Sequence, residues 1–332
     1  MNLKTSDLKR FQKLSSGLKT SNVLPIYDYI RFDKGSITKM IGGGFVVMEC
    51  TDVDQSMLVD EKQLNVKINN TTSEFITISQ KGSKVTITDS VTPKVFPAPD
   101  IKEWPAMPNM EGKKWPVSDQ LIEMLGKAVK VCMPSELIAT FMSFVHIGDG
   151  WICSSIGSTF FGSPIEEKFK MVLIEKLAHI ISGLKITVCS EVDNFNFFYG
   201  PGIIYGFQKS EIGFMDMLKF NQLNGASRDF SASKYDFESF NQECIGSSKL
   251  PWVTIKKGEL YMYDSGLDTL CTRPMENLTP SENFTYNPDT MNKLLKVFDD
   301  DELDFYKSDR LYWIKNPGKD FVTLMTRIAT QS

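Results

Sequence analysis

Three times along the chain, at a spacing of about 110 residues, the same local pattern returns. SDLKRFQKLSSGL begins at Ser6 and SDQLIEMLGKAV at Ser118. After each comes a strand-like run, a glycine turn and another strand-like run: YIRFDKGSITKM, FVHIGDGWICSS and, later, VTIKKGELYMY. The turn glycines are Gly35, Gly150 and Gly258. A further element recurs as MLVDEKQL at Met57 and MVLIEKLAHI at Met171, with FTYNPDTMNKLL at Phe284 as a third copy. A period this long is a whole small domain rather than a solenoid turn. The reading is an α+β fold of three repeated domains with antiparallel sheets, at 1–114, 115–225 and 226–332.

Within the first repeat, Leu8, Phe11, Leu14 and Leu18 recur at helical spacing behind a polar Ser6 cap, so a helix is expected over Ser6–Leu18. Strands are expected at Ile26–Phe32, Ser36–Met40 and Phe45–Glu49, a second helix at Val59–Ile68, and a hairpin from Phe75–Gln80 to Lys84–Thr88. Six prolines between Pro93 and Pro116 suit an extended connector. The second repeat predicts helices at Leu121–Val131 and Ile174–Ile181. Its strands fall near Thr140–Ile147, Trp151–Ser155, Lys185–Ser190 and Phe195–Tyr199. The polar stretch Asn221–Asp229 marks the second boundary. The third predicts helices at Tyr235–Cys244 and Asp289–Phe298, and strands at Trp252–Lys256, Glu259–Tyr263, Glu302–Tyr306, Arg310–Lys315 and Phe321–Ile328.

Motifs for chemistry are sparse. Six cysteines are scattered with no CxxC, which disfavours a zinc site and fits reduced thiols in a cytoplasmic protein. His146 and His179 have no Cys, His or acidic companion at ligand spacing, Gly42-Gly43-Gly44 lacks the phosphate-loop pattern, and no GxSxG elbow occurs. The run Asp299-Asp300-Asp301-Glu302 is the one candidate for a two-metal nuclease. It follows a helix directly and lacks a second acidic motif, so it reads as a solvated turn. No catalytic residue, metal or cofactor is expected. No apolar run or leader-like segment points to a membrane or to secretion.

Basic residues gather on the expected helices despite a net charge of −4. They are Lys4, Lys9, Arg10 and Lys13, then Lys62, Lys127, Lys130, Lys176 and Lys293. The helix at Tyr235–Cys244 carries Asp236, Glu238 and Glu243 instead. A basic helical face suits a polyanion held through its phosphates; the plainer alternative is lysine decorating any solvated helix.

LKRFQKLSSGL followed by NVLPIYDYIRFDKGSI, SMLVDEKQLNVKI, FPAPDIKEWPAMP and the closing DFVTLMTRI resemble, in order and spacing, the bacterial DNA sliding clamp, the β subunit of the replicative polymerase. The resemblance implies a homodimeric ring of six domains, with helices around duplex DNA and sheets outside. It implies sequence-independent phosphate contacts, and a pocket accepting a short peptide from polymerase or clamp loader. By position that pocket would use Met142, Gly157, Phe160, Val322 and Leu324. The family's T-D-G-H-R-L run is SIGSTF here, at Ser155 to Phe160, which implies a partner peptide of another type. The alternative is a clamp-fold scaffold that binds proteins without encircling DNA.

Overall fold

Each of the three repeats divides in two, so the chain is built from six copies of a strand, a helix and three antiparallel strands. The first copy is β1 (Asn2–Lys4), α1 (Thr5–Ser15), β2 (Tyr29–Asp33), β3 (Ser36–Ile41) and β4 (Gly44–Glu49). The second is β5 (Met57–Asp60), α2 (Glu61–Asn70), β6 (Phe75–Lys81), β7 (Lys84–Thr88) and β8 (Pro93–Pro97). The third is β9 (Lys113–Pro116), α3 (Asp119–Lys130), β10 (Phe144–Gly148), β11 (Trp151–Ile156) and β12 (Thr159–Pro164). The fourth is β13 (Met171–Ile174), α4 (Glu175–Ser182), β14 (Val188–Val192), β15 (Phe195–Gly200) and β16 (Ile203–Gln208). The fifth is β17 (Ser227–Ser233), α5 (Lys234–Ile245), β18 (Trp252–Lys256), β19 (Glu259–Tyr263) and β20 (Thr269–Pro274). The sixth is β21 (Phe284–Tyr286), α6 (Pro288–Leu295), β22 (Glu302–Ser308), β23 (Leu311–Lys315) and β24 (Val322–Thr326). This computed structural model describes residues 1–16, 24–41, 43–89, 92–134, 141–156, 159–210, 212, 226–246, 252–256, 258–263, 268–275, 277–308, 311–316 and 322–326.

The leading strand of each copy does not join its own three-stranded meander. β1 pairs with β6 and β5 with β2; β9 pairs with β14 and β13 with β10; β17 pairs with β22 and β21 with β18. The copies are therefore knitted in twos, because a leading strand finds its hydrogen-bond partners only in the other copy of its pair.

The chain forms two compact units. The first, residues 1–117 and 183–209, holds α1, α2, the sheet β1-β6-β7-β8 and the sheet β5-β2-β3-β4-β16-β15-β14-β9. Leu8 and Phe11 of α1 and Leu64 and Ile68 of α2 are buried in its core. The second, residues 118–182 and 210–332, holds α3 to α6, the sheet β13-β10-β11-β12-β24-β23-β22-β17 and the sheet β20-β19-β18-β21. Its helices bury Leu121, Met124 and Leu125, then Leu177 and Ile181, Phe237 and Phe240, and Met291 and Leu294. Burying side chains of this size contributes roughly 1.5–3 kcal/mol each.

The glycine turns hold the repeat together at atomic detail. Gly35, Gly150 and Gly258 all have positive φ (81°, 83° and 78°), a backbone region that glycine enters without steric cost. Their carbonyls accept from the N–H of Cys50, Ile165 and Met275, the residues that follow β4, β12 and β20.

Several expectations need correction. Ser6 does not cap α1; the helix starts at Thr5, and its N-cap Lys4 gives no side-chain hydrogen bond. The hydroxyl of Thr5 donates instead to the carbonyl of Ser73 (2.8 Å). Ser118 does cap α3, accepting from the N–H of Leu121 at 3.0 Å. Val59 lies in β5 and Ile174 in β13, so the second and fourth helices begin two residues and one residue later than their periodicity suggests. The proline-rich connector holds β8 and β9 at its ends, and β8 is an edge strand, where prolines cost no ladder bonds. β12, β16, β20 and the short leading strands were absent from the sequence reading.

Candidate nucleic-acid and partner interfaces

α1 buries Thr5, Leu8, Phe11 and Ser15 and exposes Lys9, Arg10 and Lys13 on the opposite side, with exposed Lys4 just before it. None of these four cations forms an ion pair among the described residues, and Asp7 is half-buried. Lys62 on α2 is exposed too, and Glu61 beside it is already paired with Lys39.

The helices of the second unit are different. Lys127 is buried, with its ammonium 2.6 Å from Asp299 and 3.2 Å from Glu123. Lys130 donates to the carbonyl of Lys296 (2.8 Å), and Lys293 pairs with Asp289 one turn away (2.8 Å). Lys176 is half-buried. α5 exposes Tyr235, Gln242, Glu243 and Ile245.

The acidic run before β22 is engaged in the fold. Asp299 holds Lys127, and the Asp301 carboxylate accepts from the backbone N–H of Tyr235 (2.8 Å) and from the Ser233 hydroxyl (2.8 Å) at the start of α5. An acceptor there satisfies a helix N–H that has no partner within the helix. The two carboxylates act at separate places, and nothing in this geometry converges them on shared metal ions.

The residues implied for a partner pocket are partly brought together. Phe160 on β12 is directly across from Leu324 on β24, which is across from Trp313 on β23. Trp313 is in turn across from Tyr306 on β22. Directly opposed residues share one face of an antiparallel sheet. Phe160, Tyr306 and Ala226 pack around Trp313, which is 3% exposed and whose indole N–H has no hydrogen-bond partner among the described residues. Met142 is half-buried, and its carbonyl accepts from the N–H of Met133 (2.9 Å) and the Cys132 thiol (3.2 Å). For Val322 and Leu324 the backbone register alone is described, and Gly157 lies outside the described residues. Trp313 and Tyr306 were missed by the sequence reading; their signal was the hairpin pairing of β22 with β23, which sets them opposite each other.

Among the described residues, two of the six copies' last strands stay unpaired on their outer side. The last strand of the first copy joins that of the fourth, β4 to β16, and the last strand of the third joins that of the sixth, β12 to β24, which makes the two eight-stranded sheets. β8 and β20, the last strands of the second and fifth copies, have no such partner among the described residues, and each ends a four-stranded sheet whose other end is β1 or β21. Val95 on β8 is 57% exposed and Leu270 on β20 is 42% exposed, an unusual state for apolar side chains on open edges.

No protein-family model matches this sequence, and no curated protein matches it. Solved structures do match its fold over nearly the whole chain. The Helicobacter pylori β clamp bound to a DNA ligase peptide is 12% identical, covers 99% of both chains and has a TM-score of 0.83. The DNA polymerase III subunit β from Pseudomonas aeruginosa is 10% identical, with 99% of this chain and 100% of that one covered and a TM-score of 0.82. The DNA polymerase III β chain from Streptococcus pneumoniae is 10% identical, covers 99% of both and has a TM-score of 0.80. Identity this low speaks for the fold: the chain is folded as a bacterial β sliding clamp.

Proposed function

We propose that this chain is a DNA sliding clamp, a non-enzymatic processivity factor: two copies close head to tail around duplex DNA and tether a replicative polymerase. Its three domains, expected at 1–114, 115–225 and 226–332, would each consist of two knitted copies of the repeat, with the first boundary moved ahead of β9 (Lys113–Pro116). The observation that carries the reading is that β8 and β20, unlike the last strands of the other four copies, are left as open edges among the described residues.

The two intrachain junctions supply a register for those edges. Phe45 and Phe160 each stand five residues before the residue bonded to the turn glycine, and they oppose Gly206 and Leu324. Gly206 and Leu324 each stand two residues before the partner of the first residue of β15 and β23. The same offsets select Leu270 on β20 and Val95 on β8. Pairing β20 of one copy with β8 of the next thus sets the two exposed apolar side chains opposite each other. A head-to-tail contact that closes makes a ring, and a ring holds DNA through phosphates without reading sequence. A peptide from polymerase or clamp loader would dock on the Phe160–Trp313 face, with an apolar anchor against the aromatic row.

Light scattering across a dilution series tests the ring, followed by retention on circular against linear duplex DNA. A mass of twice 37.6 kDa that survives dilution, with retention on circles, is the expected result. A stable monomer would favour a clamp-fold scaffold that does not encircle DNA.

A further inference from the structure

The helices divide by charge and, apart from buried Lys67, which is held by Asp89 and the carbonyl of Thr92, by what their cations touch. α1 and α2 carry five basic residues (Lys9, Arg10, Lys13, Lys62, Lys67) against two acidic ones (Asp7, Glu61). α3 to α6 carry five (Lys127, Lys130, Lys176, Lys234, Lys293) against seven acidic residues, three of them on α5. Of the second set, Lys127, Lys130 and Lys293 are bound as described above, and Lys234 donates to the carbonyl of Phe298 (2.8 Å). A cation already paired with a carboxylate, or holding a backbone carbonyl, must give up that contact to meet a phosphate, so it gains little net from the exchange. Among the described residues Lys9, Arg10 and Lys13 have no such contact to give up.

We infer that duplex DNA is gripped by the first unit, through Lys4, Lys9, Arg10 and Lys13 with Lys62 on α2, the helix packed against α1, and that the four helices of the second unit contribute little attraction. This rests on the sliding-clamp reading for its ligand. It differs from an evenly charged ring, because DNA would lean toward the first unit of each copy and be repelled by α5. Fewer phosphates would be neutralised than the total lysine count suggests, and the salt dependence of binding would be correspondingly shallow.

The test compares two triple variants with the wild type, by fluorescence anisotropy on a blunt duplex across a salt series. One is Lys9→Glu, Arg10→Glu and Lys13→Glu; the other is Lys130→Glu, Lys176→Glu and Lys293→Glu. The α1 variant is expected to lose tenfold or more in affinity, and its salt slope to fall by about 2.7, from three contacts at roughly 0.9 each. The second variant is expected to stay within about threefold of wild type in affinity, with a salt slope lower by less than about one contact. Equal losses in both, or a loss confined to the second, would overturn the inference. Circular dichroism checks that each variant remains folded. The ring is read separately from retention on circles: retention with equal losses sinks the charge asymmetry alone. A selective α1 loss without retention sinks the ring and leaves the asymmetry standing. A wild type that binds no duplex at low salt overturns both.

Discussion

Gly206 on β16 lies directly across from Phe45 on β4, and the Phe45 ring fills the space a Cβ at Gly206 would need, its nearest atom 2.3 Å away. The ring is fully buried and packs near Phe195 and Phe197, so it has nowhere to retreat. The junction that makes an eight-stranded sheet in the first unit is thus set by a large residue facing an absent one.

Gly206→Ala should therefore destabilise the protein by about 1–3 kcal/mol, the usual cost of overpacking a filled core. Thermal and urea unfolding check this. A variant as stable as wild type would mean that the ring can move aside.

Lys127 and Asp299 give a second prediction. Asp299→Ala takes the nearer of two carboxylates, Asp299 and Glu123, from a buried ammonium, so stability should fall by about 1–3 kcal/mol. Lys127→Met removes the buried charge together with its need for partners, and it should cost less than Asp299→Ala. Denaturant titrations of the two variants establish the order; the reverse order would refute this account of the pair.

At the open edges, Val95→Arg or Leu270→Arg alone should shift the light-scattering mass toward 37.6 kDa, because each places a charge at the centre of the proposed junction. Combining Val95→Asp with Leu270→Arg should restore association in part. Dimers unaffected by both single changes would place the contact elsewhere on the chain.

Burial pushes the Cys132 thiol up to about 12 from its ordinary 9.0, with a smaller contribution from Glu175. A raised native pKa means that the unfolded chain ionises first as pH rises. The thiol's stabilising contribution is fully present below about pH 9, then declines between about pH 9 and 12. Cys132→Ala should flatten that decline in a series of urea midpoints. Native alkylation at pH 8 should also spare Cys132 while reaching it in urea.

Legibility followed how local each signal was. β7, β18 and β19 lie where the sequence placed them, because their alternation and flanking turns are complete within five or six residues. The leading strands were invisible: β1 and β21 are three residues each, and their partners lie in the other copy of the pair. β8 was hidden by its prolines, which argue against a central strand but are tolerated at an edge. Among the site residues, Lys9, Arg10 and Lys13 could be placed on one face by helical spacing. That Lys127 is buried beneath Asp299, 172 residues away, could not be.

The sequence by itself determined that a domain-sized pattern returns three times, that helices alternate with antiparallel strands, and that cations collect on the first helix. These rest on periodicity and turn chemistry, which act between near neighbours. Only the tertiary structure decided that the repeat is sixfold, which strands exchange, which edges stay open and which lysines are already bound. Those outcomes depend on hydrogen bonds and ion pairs between residues far apart in the chain, and no local pattern carries them.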